Sequence, residues 1–70
     1  MKLGEAGKGK EYIIRRIETE DEELNSFLFS LGLYSGEKIT LVSHIKGGSI
    51  VMIKNGRYNI DKQLANAIIV

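Results

Sequence analysis

Seventy residues make one small domain near the lower limit for a self-sufficient core, and 43% apolar content sets the chain among folded rather than disordered sequences. The lack of cysteine excludes a disulfide framework and a thiolate zinc site, and no run approaches the ~18 apolar residues of a membrane span. A net charge of +1 provides no whole-molecule field to draw in nucleic acid, although five of the nine carboxylates crowd into Glu18–Glu23.

The opening residues, Met1 to Tyr12, lack an apolar h-region, which points to the cytoplasm. There is no proline, internal repeat or linker, so residues 1–70 read as a single domain. Lys10–Ile17 is rich in β-branched and aromatic residues and predicts a strand. Thr19 and Glu22 have the spacing of a capping box, predicting a helix from near Glu20 to Leu31. Leu24, Phe27, Leu28 and Leu31 would form its buried face. Gly32 then supplies a left-handed C′ residue, and Leu33 can fold back on Leu28 in a Schellman ending.

After a turn over Tyr34, Ser35 and Gly36, strands are predicted at Glu37–Ile45, Ile50–Lys54 and Arg57–Ile60. Asn55-Gly56 marks a hairpin that pairs Ile53 with Tyr58 and Val51 with Ile60. A three-residue loop over Gly47–Ser49 turns Ile39, Leu41 and Ile45 inward, whereas a two-residue loop would invert them. Asp61 caps a last helical turn carrying Leu64 and Ala65. Five short strands, one helix and tight turns suggest a small, partly closed barrel, because closure removes exposed edges.

Chemistry-bearing patterns are sparse. Gly4, Gly9 and Lys10 have phosphate-loop spacing, but Glu11 stands where the magnesium-binding hydroxyl belongs and no strand comes before. Gly4–Glu11 reads instead as a flexible basic lead-in. The acids of Glu18–Glu23 suit a solvated first helical turn and offer at most a weak, transient iron(II) contact. His44, the only histidine, is expected to face outward opposite Met52, with too few ligands for a tight metal site. No nucleophile, acid and base are matched, so a non-catalytic module is expected. Phe29 lies off the core stripe. With Tyr34 and the loop Gly47, Gly48 and Ser49 it forms the candidate partner-binding surface.

The ordered set of these features resembles the FeoA domain family. It comprises Ile14 and Ile17; Phe27, Leu28 and Leu31; Gly32, Leu33 and Gly36; Ile39 and Leu41; Gly48, Val51 and Ile53; and Ala65 or Ala67 with Ile68 and Val70. One departure is Ser35, where the family often has proline, which implies a less rigid turn. The resemblance implies an SH3-like barrel and a small accessory protein of ferrous-iron uptake that contacts the FeoB membrane transporter, with its GTPase, without entering the bilayer. It also carries a family label of transition-metal involvement. Similar domains form the C-terminal part of metal-dependent repressors. A small-barrel nucleic-acid-binding or regulatory module is the alternative, against which the acidic cluster counts.

Overall fold

The β-branched run after Lys10 makes two strands rather than one. A computed structural model describes residues 1–54 and 56–70. In it β1 spans Lys10–Ile13 and β2 Arg16–Ile17. They are followed by α1 (Glu22–Ser30), β3 (Lys38–Ile45), β4 (Gly48–Ile53), β5 (Gly56–Asp61), α2 (Lys62–Ala67) and β6 (Ile68–Ile69). The break comes where the chain changes partners. Tyr12 and Ile14 face inward in alternation, but Arg15 and Arg16 are both exposed, so the period-2 pattern cannot continue on one sheet. The chain turns a corner there. Ile14 still exchanges backbone hydrogen bonds with the β3 side, through Glu37 O and Gly36 N, while Arg15 N–H already donates to Ile69 O.

Two antiparallel sheets result: a four-stranded sheet in the order β1-β3-β4-β5, and the pair β2-β6. The fold is mainly β with one main helix, as the predicted elements suggest. The larger sheet does not close, and β1 and β5 remain its edges. Between the sheets and α1 lies a core centred on Ile14, Leu28, Leu33, Ile39, Leu41 and Ile68, each at most 1% exposed.

At the start of α1 the capping-box expectation is corrected. Asp21 is the N-cap, its carboxylate accepting from Glu23 N–H and Leu24 N–H at 3.0 and 3.2 Å. Thr19 Oγ1 instead accepts from Asp21 N–H, orienting the cap residue and delaying the helix to Glu22. The other end is a Schellman motif. Leu33 N–H donates to Leu28 O and Gly32 N–H to Phe29 O, while Leu33 and Leu28 are both buried. Gly32 sits at φ +88°, where a β-branched side chain is strained. Gly32→Val is therefore expected to lose more than ~1 kcal/mol of stability, read as a lower thermal midpoint.

The β3–β4 hairpin reaches the expected core by a different route. Ile45 pairs with Gly48, leaving a two-residue loop of Lys46 and Gly47 in place of three residues. An even loop alone would put Leu41 outside. A bulge between Leu41 and Ser43 adds one unpaired residue, Val42, and restores the inward face for Leu41 and Ile39. Beyond the bulge the parity is reversed, so Ile45 is 42% exposed rather than buried.

Across β4–β5 the pairs are Ile53 with Gly56, Val51 with Tyr58 and Ser49 with Ile60. This register lies two residues from the one expected. A shift of two keeps every side chain on its face, so Val51, Ile53 and Ile60 are buried as anticipated. Of the Asn-Gly turn that predicted the hairpin, Asn55 lies outside the described residues.

The N-terminal lead-in is not loose. Leu3–Glu5 forms a 3₁₀ turn with Leu3 fully buried and Ala6 4% exposed. Gly9 N–H donates to Leu41 O, and the Tyr12 hydroxyl donates to Gly7 O. Apolar residues at positions 3 and 6, spaced like one face of a turn, are the signal for this packing.

Candidate partner-binding surface

α1 carries nine residues but presents only Leu28 as a fully buried side chain, with Leu24 and Leu31 partly buried. The apolar stripe is thus i, i+4, i+7, and Phe27 does not belong to it. Phe27 is 52% exposed, which corrects its placement in the core. Leu33 explains the difference, because the Schellman reversal folds it in beside Leu28.

Phe29 is 65% exposed. The same reversal carries the chain back under it, so that the Tyr34 ring stacks on Phe29 with centroids 4.9 Å apart and a 34° tilt. The turn holding Tyr34 is fixed from below, since Ser35 Oγ donates to Arg15 O at 2.9 Å, a contact spanning 20 residues of sequence. Ser35 therefore ties the turn to the corner between β1 and β2, where the less rigid turn was expected. Sequence spacing could not reveal this bond, because it depends on where that corner falls.

The second half of the candidate surface lies elsewhere. Tyr34 and Gly36 come just before β3 and Gly47 just after it, and eight strand residues hold these ends roughly 20 Å apart. Ser49 is 1% exposed and Gly48 is a paired strand residue, so of the three loop positions only Gly47 is at the tip. The expectation that Gly48 and Ser49 offer an adaptable exposed tip is thus corrected, because the shorter loop draws both into β4.

His44 is likewise repositioned. The bulge at Val42 places it opposite Ser49, not Met52. Its Nε2 lies 2.8 Å from Ala6 O and its Nδ1 3.2 Å from Ser49 Oγ. Hydrogen bonds from the two ring nitrogens to that carbonyl and to the serine pin the N-terminal segment to the sheet. Beside it a cleft of about 250 Å³ is lined by Gly4, Gly47, Lys62 and Asn66. Among the described residues no three His, Cys, Asp or Glu side chains converge as metal ligands, and both His44 nitrogens already have protein partners. Two acids of the 18–23 segment serve locally: Asp21 caps α1, and Glu18 pairs with Arg16 at 2.8 Å.

The FeoA domain pattern matches residues 1–70, the full length in which these turns, strands and caps occur. The chain belongs to the FeoA domain family. FeoA domains are non-catalytic accessory domains associated with ferrous-iron transport. An iron uptake regulatory protein, FeoA, shares 28% identity with the chain, covering 97% of this chain and 91% of its own, at a TM-score of 0.85. The zinc-complexed FeoA of Stenotrophomonas maltophilia, an SH3 domain protein, shares 17% identity over 100% of this chain and 88% of its own, at a TM-score of 0.85. A manganese-dependent transcriptional repressor shares 18% identity over 97% of this chain but only 39% of its own, at 0.88. The last two are likenesses of fold, which is SH3-like. No curated protein sequence matches the chain.

Proposed function

We propose that this FeoA domain is a cytoplasmic accessory protein of ferrous-iron uptake, acting by contact with a FeoB-like membrane transporter through Phe29 and Tyr34. The supporting observation is the exposed Phe29 ring stacked on the half-buried Tyr34 at the end of α1. Large exposed rings are uncommon on a free surface and dominate the energetics of protein contacts. Tyr34 also backs Phe29, so less rotamer freedom is lost on docking. Among the described residues no helix is long and apolar enough to cross a membrane.

Affinity of the purified domain for the full-length FeoB-like transporter of the source cell, held in nanodiscs, tests this reading. Phe29→Ala and Tyr34→Ala are each expected to weaken binding by about 5- to 30-fold, with melting points close to wild type. Undiminished binding by both variants would move the contact elsewhere. Strong, salt-sensitive RNA binding by the wild type would favour a nucleic-acid role instead.

A further inference from the structure

Charge is divided sharply along this chain. Residues 17–37 hold six of the nine carboxylates and none of the ten lysines and arginines, so that segment carries −6 and the remainder +7. Two of the six are neutralised, Glu18 by Arg16 and Glu37 by Lys54 at 3.9 Å. Among the described residues Glu20, Glu22 and Glu23 have no ion-pair partner, and all three are exposed.

The helix aligns these charges with the exposed rings. Glu22 and Phe29 are seven residues apart and Glu23 and Phe27 four apart, so each acid shares a helix face with an aromatic. Between Glu22 and Phe29 that face carries only Asn25 and Ser26, both exposed and uncharged, while Glu23 is turned about 100° from Glu22, on the flank of Phe27. At 1.5 Å per residue the two ends are roughly 10 Å apart. An anionic bilayer would repel such a face, and an acidic protein surface would as well.

We propose that α1 docks on a protein surface with an apolar hollow for Phe29 and a basic margin roughly 10 Å away, whose lysine or arginine side chains face Glu22 and Glu23. This rests on the reading that the aromatic pair contacts a FeoB-like transporter. It adds the chemistry of the transporter's side: apolar contacts hold the complex, and charge steers and orients it.

The test measures affinity for the same full-length transporter in nanodiscs at about 50 mM and about 500 mM salt, which brackets strong and weak screening. The paired variant Glu22→Gln, Glu23→Gln is expected to bind about tenfold more weakly at the lower salt and nearly equally to wild type at the higher. A control pair, Glu5→Gln with Glu11→Gln, removes equal charge away from α1 and is expected to bind like wild type. If Phe29→Ala weakens binding while the Glu22, Glu23 pair does not, the basic margin is refuted and the transporter reading survives. Equal losses for both glutamine pairs would reduce the effect to net charge and also refute it. Wild type that fails to bind the transporter refutes both. If wild type self-associates in sedimentation and the α1 pair dissociates it, the occupant is a second copy and the inference falls.

Discussion

Gly48→Ala is expected to destabilise the domain by roughly 3 kcal/mol, the upper end for over-packing, and to lower the thermal midpoint by more than about 10 °C. Gly48 opens β4 opposite Asp61, where β5 ends against it. A methyl group there would overlap Ile60 O and press on Asp61 Cα at 3.1 Å. Both obstacles are backbone. Neither can rotate away as a side chain does, so β4 and β5 must separate at the end that also carries the Asp61 cap of α2. Gly4→Ala is the control, since its methyl would meet Asn66 Oδ1 at 2.8 Å, the movable tip of a side chain. Thermal melts by circular dichroism would show a large shift for Gly48→Ala and a small one for Gly4→Ala. Equal midpoints would mean that the two strands do not approach so closely.

Leu28→Ala is expected to cost about 2–5 kcal/mol, the range for emptying a fully buried leucine site. Leu28 is 0% exposed, and it anchors α1 both to the core and to Leu33 across the C-terminal reversal. Against a total stability on the order of 5–15 kcal/mol, that loss removes a large share of the folding free energy. Phe27→Ala is the informative partner. Although phenylalanine is larger, Phe27 is half in solvent, and its truncation is expected to cost under ~1 kcal/mol. Urea titrations of both variants make the comparison. If Phe27→Ala matched Leu28→Ala, α1 would be rotated about its axis and the exposed ring pair would have to be reassigned.

That contrast marks where sequence reasoning stopped. Helical spacing placed Leu24, Phe27, Leu28 and Leu31 on one face, but a small domain has room for only part of such a face. Leu33 occupies the core beside Leu28 and Phe27 is displaced to the surface. The site was half legible for a related reason. Phe29 and Tyr34 are five residues apart across a reversal marked by Gly32, so local geometry alone could bring them together. The Gly47 loop follows the far end of β3, and its distance from Tyr34 depended on the strand pairing.

Local chemistry by itself determined several features. These are the Schellman ending at Gly32, the Asp61 cap, the inward faces of Ile39, Leu41, Val51 and Ile53, and the scarcity of residues matched for catalysis. Each depends on residues a few positions apart, or on a two-residue alternation that survives register shifts of two. Tertiary structure decided the rest. It split the first strand at Ile14-Arg15, inserted a bulge at Val42, turned His44 toward Ala6 and Ser49, and ordered the N-terminal segment through Leu3 and Ala6. The physical reason is common to all four. Each outcome is set by a backbone or side-chain partner 5 to 69 residues away, and alternation along one strand does not indicate which partner will be met.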